Sequence, residues 1–160
     1  MTSFDDAFDA LMGNEGGYSN DPKDPGGETM WGITARVARA HGYLGAMRDL
    51  PRDSAKTIAR EVYWAPLKLD LFDARVAFQI FDANYNGGHC VIWMQAASGA
   101  KVDGLLGTAP IAAVQATNPL VFVLRWNCYR LKYYTSLKVW LDFGRGWANR
   151  VANNLLRAAS

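Results

Sequence analysis

The sequence predicts a mostly α-helical single domain of about eight helices, with one small irregular β-hairpin or loop element near residues 18–33. Three observations carry this. Apolar residues recur at helical spacing through most of the 160-residue chain, and Gly, Pro and Asn-Pro punctuate it at short intervals. Only between Glu15 and Thr34 do turn-formers and ionisable groups crowd together: Glu15-Gly16-Gly17-Tyr18, Asn20-Asp21-Pro22-Lys23-Asp24-Pro25-Gly26-Gly27-Glu28-Thr29 and Trp31-Gly32-Ile33-Thr34. That stretch holds too many breakers for a helix and too many charges for a core.

Taken in order, Ser3 and Asp6 resemble a capping box, and Phe4, Phe8, Leu11 and Met12 form an apolar stripe, which predicts a helix over 4–14. Gly13 and Gly16-Gly17 stop it, placing Glu15 at or just past its last turn. The negative end of a helix and partial burial both disfavour a carboxylate there, so the Glu15 pKa is expected to rise. Two Asp-Pro pairs and Gly26-Gly27 make the next stretch turn-rich, with at most two or three short strands.

Thr34 is expected to cap a helix running to about His41, and Asp53 or Ser54 another that ends before Pro66. Asp73 opens a third, whose Val76, Ala77, Ile80, Phe81 and Asn84 share a face before Gly87-Gly88. An apolar helix over 89–98 precedes a turn at 102–107, and Thr108 caps a short helix around 110–116. Asn118-Pro119 starts the longest predicted helix, from Leu120 to about Leu141, central in its first half and amphipathic in its second. Gly144-Arg145-Gly146 is expected to break it before a last helix over 147–158. No repeat, low-complexity tract or linker divides the chain, so one domain is expected, with a first lobe over 1–85 and a helical second lobe over 86–160.

Composition narrows the function classes. Seventeen Lys and Arg against fifteen Asp and Glu leave a net charge of only +2, too weak a field to argue for nucleic acid. The basic and aromatic run Arg125 to Tyr134 reads better as a helix whose long cationic side chains snorkel outward than as a base-stacking surface. Cys90 and Cys128 lack metal or redox spacing and are read as buried free thiols, and His41 and His89 as helix-end residues, so neither a metal nor another cofactor is expected. Asp5, Asp6 and Asp9 stand where a secretory leader would be basic, and no apolar run has membrane-spanning length. The expectation is a monomer made in the cytoplasm and not stably inserted in a membrane.

The chemistry that fits the polar stretch is glycoside hydrolysis, which needs one protonated and one ionised carboxyl group. Glu15 beside apolar helix residues suits the acid, and Asp24 in a polar turn beside Lys23 suits the carboxylate. Asp21 competes with Asp24 for that second role, and the Thr29 hydroxyl can hold a water. Tyr18, Trp31, Thr34 and Asn86 are candidates for contacting sugar or supporting the loop.

These words, from Glu15-Gly16-Gly17-Tyr18 through Asp24-Pro25-Gly26-Gly27 and Thr29 to Trp31-Gly32-Ile33-Thr34, resemble the signature of the glycoside hydrolase family 108 muramidases, phage-type lysozymes that cut peptidoglycan. Asp82-Ala83-Asn84-Tyr85-Asn86-Gly87, Trp93-Met94-Gln95 and Val102-Asp103-Gly104 with Leu106-Gly107 are similar to the family's later segments, the last two to a peptidoglycan-binding-like region. Thr108-Ala109-Pro110 and Gly87-Gly88-His89 depart from the family pattern.

The resemblance implies a lysozyme-like fold in which Glu15 is the general acid. It also implies that Asp24 and Thr29 follow in the acid, carboxylate, threonine order of phage-type lysozymes. The substrate implied is the glycan strand of peptidoglycan, cut between N-acetylmuramic acid and N-acetylglucosamine. Inversion is favoured, which requires the carboxyl groups to stand about 6.5–9.5 Å apart rather than about 5–5.5 Å. An endolysin that lyses a bacteriophage host after release through a holin is the expected setting, with a bacterial muramidase passed out by a dedicated secretion system as the alternative setting. A lytic transglycosylase and a non-catalytic wall-binding protein are the alternatives.

Overall fold

The computed structural model describes residues 4–13, 17–20 and 27–160. The chain divides into two compact units, Thr2–Asp70 and Leu71–Ser160. Among the described residues there are eight α-helices and one two-stranded antiparallel sheet, so the fold is mostly α as the sequence predicts.

In the first unit, α1 (Phe4–Met12) buries Phe4, Ala7, Phe8, Leu11 and Met12, the stripe expected from spacing. Its end is closed by the Gly13 amide donating to the Asp9 carbonyl (3.0 Å). Strands β1 (Thr29–Met30) and β2 (Ile33–Thr34) form the small hairpin. The Thr34 hydroxyl then accepts from the Val37 amide (3.3 Å) and caps α2 (Ala35–Ala40), as its sequence position predicts. Thr34→Ala is expected to cost about 1 kcal/mol of stability, read by denaturant unfolding.

Helix α3 (Arg52–Ala59) corrects one assignment: its N-cap is Pro51, with no side-chain cap bond, and Asp53 and Ser54 already lie inside it. Proline at this boundary needs no amide partner, which lets the helix begin earlier than the polar residues suggest. Nor does the helical path stop before Pro66. It continues as a π-helical turn, Arg60–Trp64, and a 3-10 turn, Ala65–Leu67, that contains the proline. Trp64 is buried against Phe4, with ring centroids 5.3 Å apart.

The second unit begins with α4 (Ala74–Tyr85), capped by Asp73 through the Arg75 amide (2.9 Å). Helix α5 (Cys90–Ser98) follows as expected. Buried Gln95 then builds the predicted turn. Its Oε1 accepts from the amides of Asp103 (3.1 Å) and Gly104 (2.9 Å), and its Nε2 donates to Asp103 Oδ1 (2.8 Å) and the Leu105 carbonyl (3.0 Å). Helix α6 (Thr108–Ala116) is entered from Gly107 without a side-chain cap, so Thr108 is its first helical residue instead of its cap.

Asn118 caps α7 (Pro119–Ser136) through the amides of Leu120 (3.0 Å) and Val121 (3.2 Å). The helix ends five residues before the expected Leu141, and α8 (Trp140–Ala159) runs straight through Gly144 and Gly146. At 20 residues against 18, α8 and not α7 is the longer helix. The physical reason lies in Trp140: a Cβ on Gly144 would meet its indole at 2.6 Å, so this glycine admits a ring lying along its own helix instead of breaking it.

Two further expectations change. The first half of α7 leaves Leu120, Val121 and Leu124 exposed, so it is amphipathic from its start, with Phe122, Val123 and Trp126 buried. Cys128 is exposed, while Cys90 is buried and its thiol is pushed up to about 12 by burial.

Arg130 does not snorkel. It is fully buried at 0% exposure, donating to Asp82 Oδ2 (2.6 Å) and to the Tyr134 hydroxyl (2.8 Å). Asp82 also accepts from Arg150 Nε (2.8 Å) and Asn154 Nδ2 (2.8 Å), and so ties α4, α7 and α8 together. Burial alone would push the Asp82 carboxyl up, but the two guanidiniums outweigh it and hold its pKa below the usual range.

Candidate functional site

Hairpin geometry starts from its turn. Thr29 pairs with Thr34 and Met30 with Ile33, leaving Trp31-Gly32 as a two-residue connection with φ of 54° and 71°. Positive φ at both central positions matches the twist of a tight hairpin, and glycine supplies it freely. At Trp31 it costs on the order of 1–3 kcal/mol and persists only where the surroundings hold it. Here the indole Nε1 donates to the Leu50 carbonyl (3.0 Å), and the Arg52 guanidinium lies 6.0 Å from the ring centroid.

Thr29 is tied on its other edge as well. The Ser19 amide donates to its carbonyl (2.9 Å), and its own amide donates to the Ser19 carbonyl (2.8 Å). The described residues flanking 21–26 are therefore joined at one bridge. The same pairing brings Tyr18 to Glu28, whose Oε1 accepts from the Tyr18 hydroxyl (2.6 Å). The Arg48 guanidinium sits 5.3 Å from the Tyr18 ring centroid, so the phenol is held by an acid at its hydroxyl and a cation at its ring.

Arg52 links this hairpin to α1. It donates to Asp9 Oδ1 (2.7 Å), lies 5.4 Å from the Phe8 ring centroid and reaches Trp31 as above. The hydrogen bond from Arg52 lowers the Asp9 pKa. Glu28, Arg48 and Arg52 did not stand out in the sequence. Glu28 adjoins Thr29 and could have been noticed by position, but Arg48 and Arg52 reach their partners across 30 and 43 residues, and no local pattern reports that.

The structure thus gathers Thr29, Trp31 and Thr34 on one small hairpin in the first unit, with Tyr18 next to the Ser19 bridge that pairs with Thr29. Glu15, Asp21 and Asp24 lie outside the described residues. Asn86 belongs to the second unit. It caps the C-terminus of α4, its Nδ2 donates to the Asp82 carbonyl (2.6 Å), and it borders a cavity of about 210 Å³ with Tyr133, Tyr134, Trp147 and Arg150. Among the described residues no group of three His, Cys, Asp or Glu side chains is placed to hold a metal ion. His41 Nδ1 lies 3.1 Å from Glu61 Oε2, and His89 packs edge-on against Tyr133 with ring centroids 4.7 Å apart.

Comparison with known proteins adds to this geometry. The solved structure of Brucella abortus SagA superposes with a TM-score of 0.86 at 30% sequence identity, covering 98% of this chain and 93% of that one. Such a likeness over the whole length carries the lysozyme-like, mostly α fold. Comparison with curated proteins finds no match. The Glycosyl hydrolase 108 family profile matches residues 8–88, which include the whole polar stretch and its hairpin. The chain therefore belongs to glycosyl hydrolase family 108, a family of peptidoglycan-degrading, muramidase-type glycoside hydrolases.

Proposed function

We propose that the protein is a lysozyme that cuts the β-1,4 bond between N-acetylmuramic acid and N-acetylglucosamine, with Glu15 donating the proton to the leaving oxygen. Asp24 is the ionised partner on the other side of the bond, and the Thr29 hydroxyl orients the attacking water. The observation that supports this reading is the family match across 8–88, together with the hairpin that fixes Thr29 on both edges beside the segment carrying Asp24. The two pairings hold the Thr29 main chain, and a reacting group contributes most where its geometry is held. Tyr18 and Trp31 are proposed to contact sugar or to support the hairpin loop, and Asn86, in the second unit, to contact sugar or to support its own loop, whereas the cap bond of Thr34 argues for a supporting role. The reaction proposed is inverting, with water attacking directly. The setting proposed is lysis of a bacteriophage host from within, the enzyme reaching the wall through a holin; among the described residues no helix is long and apolar enough to cross a membrane.

Product analysis on purified sacculi is the test. Hydrolysis releases reducing ends and products that have gained a water. A lytic transglycosylase would leave 1,6-anhydro ends, and a wall-binding protein would release nothing. Asp24→Asn is expected to lower the initial rate by about 10²-fold or more, as for loss of a positioned acid–base group. Asp21→Asn is expected to leave the rate within a few-fold. The reverse ranking would move the second carboxylate to Asp21.

A further inference from the structure

The corner between α7 and α8 carries apolar side chains that the fold leaves in water. Leu141 is 93% exposed, Phe143 56% and Val139 43%. Their placement follows from the first turn of α8. The backbone of Gly144 is buried beneath the Trp140 ring, so the inward face of that turn is taken by Trp140 and Gly144. Leu141 and Phe143, one residue to either side of that face, are left facing solvent. Trp140 and Trp147 lie 6.3 Å apart and Phe143 and Trp147 5.8 Å apart by ring centroid, so the corner is aromatic as well as aliphatic.

Charge around the corner is positive on balance. Lys138 and Arg145 bracket it and are exposed, with Asp142 the single acid between them. Residues 71–160 carry nine Lys and Arg against four Asp, a net +5, while residues 1–70 carry eight against eleven, a net −3, which together give the +2 of the whole chain. The near-neutral total hides a cationic second unit.

We infer that this corner, Val139 to Phe143 with Lys138 and Arg145, is a docking surface for an anionic lipid bilayer, touched peripherally. Exposed aliphatic side chains such as Val139 and Leu141 have no partner in a hydrated polysaccharide, and together with Phe143 they gain from entering the headgroup boundary, where Trp is also favoured. Flanking lysine and arginine are attracted by the negative surface and keep their charged ends in water while their stems lie along the apolar layer. Neither signal anchors a protein firmly alone, and the pairing makes binding reversible and sensitive to salt. Among the described residues no helix is long and apolar enough to cross a membrane.

Co-sedimentation of the full chain with vesicles tests this, using phosphatidylglycerol-containing vesicles against phosphatidylcholine alone. Binding is expected to the anionic vesicles, to weaken as salt rises, and to fall by about tenfold in the double variant Leu141→Ser/Phe143→Ser. Lys138→Gln/Arg145→Gln is expected to remove the preference for anionic lipid. Vesicles contain no peptidoglycan and purified sacculi no lipid, so the two readings fail separately. The Leu141→Ser/Phe143→Ser variant is expected to digest sacculi at the parent rate, which also shows that it folds. Failure of the parent to bind anionic vesicles, or undiminished binding by that variant, overturns the proposal. So does a dimer in sedimentation equilibrium that the double variant abolishes, because the corner would then be covered by a second copy of this chain.

Discussion

Glu15→Gln is expected to reduce sacculus digestion by about 10²- to 10⁴-fold, the usual contribution of a positioned general acid, while the unfolding midpoint stays near that of the parent. Glutamine keeps the shape and removes only the transferable proton, so a rate loss with an unchanged fold isolates the chemical role. The pH profile gives a second readout. In the parent, the rate should fall on the alkaline side as Glu15 deprotonates and on the acid side as Asp24 protonates. The alkaline fall should disappear from the residual activity of Glu15→Gln. Full turnover by this variant would remove Glu15 from the mechanism without touching the family assignment.

Asp82→Ala is expected to be the most damaging single change to stability, about 3–5 kcal/mol by chemical denaturation. Asp82 is 2% exposed and holds Arg130, Arg150 and Asn154 at once, so its removal leaves the fully buried Arg130 without the carboxylate it faces. Asp82→Asn, which keeps the size and part of the hydrogen bonding, should cost less. The pH dependence has a definite sign. Because the folded-state pKa of Asp82 is depressed, its contribution is fully present above the unfolded value of about 3.9 and is lost as pH falls through the folded one. The stability gap between the parent and Asp82→Asn should therefore narrow below about pH 4 and be constant near neutrality. A gap that widened in acid would contradict the ion-pair account.

Local physics made much of this legible in advance. The stripe Phe4, Phe8, Leu11 and Met12, the caps Thr34, Asp73 and Asn118, and the hairpin in the breaker-rich stretch all appear where spacing and cap chemistry put them. Misreadings fall where a distant partner outweighs a local preference. Gly144 reads as a helix stop until the Trp140 ring is seen to need its missing Cβ. Arg130 reads as a solvated base until Asp82, 48 residues earlier, is seen to draw it into the core. Trp31 gives no sign of a positive φ, because its strain is held by the Leu50 carbonyl, 19 residues on.

For the site, the residue types and order of Glu15, Asp24 and Thr29 are properties of the chain itself, and so is the chemistry they can support. What the sequence by itself determined is therefore the helical class, the place of the polar stretch and the family signature, since each rests on neighbours a few residues apart. What only the tertiary structure decided is which distant partners hold the described part of that stretch: the side chains of Arg48 on Tyr18 and of Arg52 between Asp9 and Trp31, and the backbone of Ser19 against that of Thr29. It also decided that the cationic second unit leaves Leu141 and Phe143 in water. Burial and long-range pairing depend on where the folded chain brings distant residues, and periodicity carries no record of that.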